Sequence, residues 1–112
     1  MKIEEKYLPI GTVVILKNGK KRVMITGFLS LANDSKEKKL YDYSGCIYPE
    51  GLLSSTQICL FDHDQIEKIF HMGLSDEEDI EFKKKLVELA SNIKNLNYDD
   101  KIENKNDLDN NS

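Results

Sequence analysis

The dipeptide Asn18-Gly19 constrains this chain more than any other feature. It separates Thr12–Lys17 from Lys20–Phe28, two runs rich in apolar and β-branched residues. Asn and Gly accept the positive φ of a type I′ turn at low steric cost, so Asn-Gly between such runs is a strong hairpin signal. This hairpin is the expected nucleus of the fold. Val13–Leu16 is continuously apolar, as in a strand covered on both faces. Gly27, inside the second run, predicts a bulge or bend.

The following segments extend the β pattern. Leu29–Lys39 is charged and reads as an exposed loop, and Leu40–Tyr48 reads as a third strand. Its alternation places Tyr41, Tyr43, Gly45 and Ile47 on one face, with Leu40, Asp42, Ser44, Cys46 and Tyr48 on the other. Tyr48-Pro49-Glu50-Gly51 is a turn signal. Gln57–Phe61 predicts a fourth strand, Asp62–Gln65 a single capped helical turn, and Ile66–Met72 a fifth strand ended by Gly73.

Beyond Gly73 the period changes. Ser75-Asp76-Glu77-Glu78 has the form of a capping box with Ser75 as the cap. Phe82, Leu86, Leu89, Ile93 and Leu96 then recur at spacings of 4, 3, 4 and 3, one apolar stripe on a helix of about 76–95. That stripe either packs on the chain's own sheet or offers itself to a partner helix or a second copy, which would make a homo-oligomer. Residues 98–112 hold five acids, two lysines and four asparagines, the composition of a disordered tail.

The expected fold class is therefore α+β and mainly β. It is a small five-stranded antiparallel sheet or SH3-like barrel, followed by one C-terminal amphipathic helix and a disordered acidic tail. Residues 1–6 are expected to fray, 7–97 to form one domain with its strands within 7–73, and 98–112 to form the tail.

Composition excludes several function classes. A formal charge of -4, of which the tail carries three, argues against nucleic acid as the default partner. No apolar run reaches the roughly 20 residues of a membrane span, and MKIEEKYLPIG lacks the apolar segment of a signal peptide, so a cytoplasmic location is expected. Cys46 and Cys59 fall in expected strands without metal-ligand spacing and read as small buried hydrophobes. His63 lies between Asp62 and Asp64, with His71 a strand away. The bland reading, a capped turn plus a surface histidine, outweighs a metal or acid–base site. No catalytic residue, metal site or cofactor is assigned, and the chain is expected not to be an enzyme. Lys17, Lys20, Lys21 and Arg22 cluster at the hairpin tip. They read as solvated charges or as a contact for an acidic partner surface or RNA.

Three separated segments carry a resemblance. They are Tyr7–Gly27 (YLPIGTVVILKNGKKRVMITG), Tyr41–Leu53 (YDYSGCIYPEGLL) and Phe61–Phe82 (FDHDQIEKIFHMG and its acidic continuation). Together they resemble the bacterial domain of unknown function 4176. The resemblance implies a small protein of Gram-positive bacteria, encoded near type VII secretion genes and toxins of the LXG class. It further implies a non-enzymatic chaperone or targeting factor whose protein partner is a secreted toxin or a secretion component. An immunity protein or a small nucleic-acid-binding barrel are the alternatives. Tyr41, Tyr43, Tyr48, Pro49, Glu50 and Gly51, with Phe82, Leu86, Leu89 and Ile93 of the helical stripe, are the expected partner-binding residues.

Overall fold

In the computed structural model the backbone is described for residues 6–34 and 37–110, and side chains for 6–32 and 39–93. The strands are β1 (Val13–Leu16), β2 (Arg22–Asp34), β3 (Glu37–Tyr48), β4 (Cys59–Phe61) and β5 (Ile66–His71). A 3₁₀ turn, His63–Gln65, precedes β5, and the helix α1 spans Glu77–Asn110. The five strands form one antiparallel sheet in the order β4-β3-β2-β1-β5. The edges are β4 and β5.

Contacts divide the chain into two compact units, Met1–Asp79 and Ile80–Ser112, where one domain over 7–97 was the sequence expectation. A helix satisfies its backbone hydrogen bonds internally, so its contacts are largely local.

The first connection differs from the expected two-residue type I′ turn. Gly19 N–H donates to Leu16 O at 2.8 Å, and Asn18 takes φ 66° while Gly19 stays outside the left-handed region. The last β1–β2 pair is Ile15 with Arg22, because the end of β1 is committed to the other side. Leu16 pairs with Ile66 of β5, and Lys17 N–H donates to Gln65 O at 2.8 Å.

Within the expected loop at 29–39, residues 29–34 belong instead to β2 and residues 37–39 to β3. The β2–β3 register continues from Phe28–Tyr43 through Leu31–Leu40 to Asp34–Glu37. Backbone pairing satisfies N–H and C=O groups whatever the side chains, so a polar composition does not exclude a strand. The bulge appears where Gly27 predicts it, with the register shifting between Ile25 and Gly27. A Cβ on Gly27 would stand 2.6 Å from Ser44 Oγ.

One face of the sheet carries the core. Leu8, Val14, Val23, Ile25, Tyr43, Phe61 and Ile66 form a buried cluster, with Leu16, Phe28, Cys59 and Ile69 packed around it. Each such side chain removed from water contributes roughly 1.5–3 kcal/mol. Aromatic rings knit its centre: Tyr43 stacks on Phe61 at 5.2 Å between centroids and meets Phe28 at 6.1 Å, and Tyr7 stands edge-on to Phe28 at 6.1 Å. The segment Tyr7–Pro9 is buried beside them.

A second contact joins the segment before β1 to the end of β5. Gly73 N–H donates to Thr12 Oγ1 at 2.9 Å, and the Thr12 hydroxyl turns toward Met72 Sδ at 3.7 Å. Thr12 is fully buried, and a Cβ on Gly73 would run into the Ile10 carbonyl oxygen.

In α1 the cap is Asp76, one residue later than the expected Ser75. Asp79 N–H donates to Asp76 Oδ1 at 3.0 Å, while the Ser75 hydroxyl donates to Asp79 Oδ2 at 3.3 Å. Ser and Asp cap about equally well, so the choice fell to where the chain leaves Gly73. Glu77, Glu78 and Asp79 suit the positive end of the helix dipole. The expected end near Asn95 is passed: no glycine or proline follows Gly73 to stop the helix. The expected tail, 98–112, lies where side chains are outside the described residues.

Candidate functional site

The face of the sheet opposite the core is where the first unit presents chemistry. Residues directly across an antiparallel pair share a face. The pairs Val13–Met24, Ile15–Arg22, Met24–Cys46, Arg22–Tyr48 and Ser44–Leu60 therefore define this second face. Val13 and Cys46 are buried on it, whereas Arg22 and Tyr48 are exposed.

Toward β4 the face opens into a groove of about 400 Å³. Leu31, Leu52, Ile58 and Leu60 supply its apolar walls, and Thr26 and Ser44 supply hydroxyls. Leu31, Leu52 and Ile58 are each about half exposed, at 54, 56 and 49 %. Large aliphatic side chains gathered at one groove and left in water are the informative kind of exposure. The segment between the turn at 48–51 and β4 carries Leu52 and Ile58, and it has few hydrogen bonds of its own: Gln57 N–H to Ser54 O at 2.9 Å, and a short Ser54–Thr56 network.

Toward β5 the same face carries cations stacked on rings. The Arg22 guanidinium lies 5.0 Å from the Tyr48 ring centroid and 5.5 Å from that of Phe70, and Lys68 Nζ lies 4.9 Å from the Phe70 ring. Next to them Lys21 Nζ bonds Glu50 Oε2 at 2.8 Å. That hydrogen bond holds the Glu50 carboxyl below its ordinary range.

The expected partner-binding residues separate on this frame. Tyr48, Pro49 and Glu50 are exposed at the turn, after a cis Tyr48-Pro49 bond, and Gly51 takes φ 79°, which only glycine adopts readily. Tyr41 is half-buried on the other face, with Lys39 Nζ 4.8 Å from its ring. Tyr43 must be corrected. It is 0 % exposed at the centre of the core and offers no surface to a partner. Its hydroxyl accepts Leu8 N–H at 3.1 Å and bonds His63 Nδ1 at 2.7 Å, and burial pushes its ionisation well above the usual phenol range. In the second unit Phe82 and Leu89 are 47 and 48 % exposed, Ile93 is half-buried and Leu86 is buried.

The Asp62-His63-Asp64 turn is structural. Gln65 Oε1 accepts Asp62 N–H at 2.8 Å. Asp42 N–H donates to Asp62 Oδ1 at 3.1 Å, and His63 N–H donates to Asp42 Oδ2 at 2.9 Å, so two carboxylates clasp β3 to the turn. Lys6 and Lys39 complete the cluster, 3.3 Å from Asp42 Oδ1 and 3.4 Å from Asp62 Oδ2. Cys46 and Cys59 are free thiols, and burial raises the Cys59 thiol above its usual range, with a further push from Cys46. Among the described residues no group of three or more His, Cys, Asp or Glu is placed to hold a metal ion, and no helix is long and apolar enough to cross a membrane.

Arg22 was legible only as part of a basic hairpin tip, and Phe70 and Lys68 carried no sequence signal. Their meeting depends on β5 lying beside β1. The groove residues Leu31, Leu52 and Ile58 come from three segments whose proximity no local pattern announces.

Comparison with curated proteins and with solved structures yields no match for this chain. The family model of a domain of unknown function, DUF4176, matches residues 7–82, which covers the whole sheet, the buried Tyr7–Pro9 segment and the start of α1. By that match over most of its length, the chain belongs to the DUF4176 family.

Proposed function

We propose that this protein is a non-enzymatic accessory factor that binds a protein partner, acting as a chaperone or targeting factor for an LXG-class toxin exported by type VII secretion. The observation that carries the binding half is the groove on the second face, with Leu31, Leu52 and Ile58 half exposed around about 400 Å³. Burying those three side chains under a partner would contribute roughly 25 cal/mol per Å² of apolar surface covered. The identity of the partner rests on the genomic neighbourhood that the DUF4176 resemblance implies. A nucleic-acid reading has one observation in its favour, the stacked Arg22 and Lys68 beside Tyr48 and Phe70. It is weakened by the formal charge of -4 and by Lys21 being paired with Glu50.

The test is co-expression with each LXG toxin and secretion component of the protein's own locus, followed by tagged co-purification. The wild-type chain is expected to retain one of them, and Leu52→Asp with Ile58→Asp to lose it while keeping the wild-type melting temperature. Retention of none would overturn the proposal. Protection of the host from the toxin's activity in the same co-expression would instead assign an immunity role.

A further inference from the structure

Arg22 is exposed, and its guanidinium lies close to two aromatic rings. Tyr48 and Phe70 both lie beside it, at 5.0 and 5.5 Å, and both rings are themselves partly exposed, at 38 and 47 %. Among the described residues no carboxylate or carbonyl takes its N–H groups. The nearest acid on the same edge, Glu50, is engaged by Lys21 at 2.8 Å. A guanidinium held this way has already lost much of its side-chain freedom, so a bidentate acceptor meets a preorganised fork.

The surroundings select the acceptor. Lys68, 4.9 Å from the Phe70 ring, is the second cation of the row, and Lys21 is neutralised by its pair. Arg22 and Lys68, the two cations held against aromatic rings on this face, match one or two carboxylates. A nucleic-acid backbone needs a longer track, since its affinity scales with the number of phosphates neutralised. Along β2 and β3 the same face continues from Arg22 and Tyr48 past Met24 to Cys46 and Ser44, which both line the groove, with Ser44 paired opposite its apolar wall residue Leu60. From Tyr48 to Ser44 is four residues of strand, about 13 Å at 3.3 Å per residue.

We infer that Arg22, set between Tyr48 and Phe70, is the docking point for an acidic side chain of a peptide segment of the protein partner. A leucine- or phenylalanine-like residue of that segment, about four extended residues away, then enters the Leu31–Leu52–Ile58 groove. This rests on the protein-binding reading above and adds the chemistry of the partner: acidic and apolar residues at fixed spacing. Arg22 acts through the planar geometry of its fork and Tyr48 and Phe70 act by holding it. A lysine at 22 keeps the charge and loses the bidentate contact.

The experiment is selection of a displayed random twelve-residue peptide library on the immobilised full chain, repeated with Arg22→Gln, Arg22→Lys and Phe70→Leu, each first checked for an unchanged melting temperature. Selected peptides are expected to be enriched in Asp or Glu about four positions from Leu or Phe. Synthetic copies should bind Arg22→Gln about tenfold or more weakly, and Arg22→Lys at an intermediate level. Replacing the selected acid by its amide should cost the wild-type chain the same factor and cost Arg22→Gln nothing. Selection of neutral or basic peptides, of no peptide, or of acidic peptides that bind Arg22→Gln equally well would overturn the inference. So would salt-dependent retention of a twelve-nucleotide poly(U) probe that is lost with Arg22. The two proposals fail separately. A toxin retained equally by wild type and by Arg22→Gln refutes the acidic docking point alone, and no retained toxin refutes the accessory reading.

Discussion

Tyr43→Phe tests the energetic centre of the fold. The ring stays, so its stacking on Phe61 and its contact with Phe28 are kept and no cavity opens. Only the hydroxyl goes, and with it two hydrogen bonds of different kinds. Leu8 N–H, 3.1 Å from the hydroxyl, belongs to a residue 2 % exposed, so it is left buried without an acceptor. An unsatisfied buried donor costs about 1–3 kcal/mol. His63 Nδ1 loses its 2.7 Å partner but is half-buried and regains water, a loss of about 0.5–1.5 kcal/mol. Together these predict about 2–4 kcal/mol. A unit of this size loses about 4–8 °C per kcal/mol, so the melting temperature should fall on the order of 10–30 °C. Thermal and urea unfolding followed by far-UV circular dichroism measure it, with Tyr41→Phe as the control. Tyr41 is half-buried with its ring under Lys39, and its change should stay within about 0.5 kcal/mol. A Tyr43→Phe protein within about 0.5 kcal/mol of wild type would show that Leu8 N–H finds another acceptor, and the account of how the N-terminal segment is pinned would fail.

Other expectations follow from the same structure. Burial pushes the ionisation of Tyr43, and also that of Tyr7, above the usual phenol range, so the native state holds phenol protons that the unfolded chain releases. Stability is then full below about pH 10 and falls as pH rises beyond it. Ultraviolet titration should show these two tyrosines ionising only as the sheet unfolds, and ionisation of every tyrosine in the folded state would contradict this. Gly73→Ala drives a methyl into the Ile10 carbonyl, and Gly45→Ala places one 2.5 Å from Met24 O and 2.9 Å from Val23 Cγ1. Each should cost on the order of 1–3 kcal/mol in denaturant unfolding, against little for Ser54→Ala on the exposed 52–58 segment. Asp76→Ala removes the cap on Asp79 N–H and should cost about 1 kcal/mol, whereas Ser75→Ala, at the position sequence alone favoured, should cost less.

What could be read from the chain was local. Strand existence followed from apolar runs of the right length, and the bulge from Gly27. The 3₁₀ turn came from Asp62–Gln65, and the helix start, to within a residue, from the Ser75–Glu78 capping-box pattern after Gly73. The errors fall where a neighbour in space overrode the local signal. Asn18-Gly19 did not close a two-residue turn, because Leu16 and Lys17 were taken by Ile66 and Gln65 of a segment nearly fifty residues on. Residues 30–34 and 37–39 look like loop by composition, yet each finds a partner on the strand opposite. Tyr43 reads like Tyr41 and Tyr48 in sequence, and alternation cannot say which face of a strand will be the core.

The sequence by itself determined the antiparallel β class, the number of strands and, apart from the outer ends of β2 and β3, their approximate ends, and the change of period to a helix after Gly73. These depend on φ preferences, side-chain branching and spacing, which act over a few residues. Only the tertiary structure decided that β1 lies between β2 and β5, that Tyr43 is the pin of the core, and that Arg22 stands between Tyr48 and Phe70. Those are properties of register between distant strands. Register is set by which faces can be buried together, a sum over the whole sheet that no single stretch of chain contains.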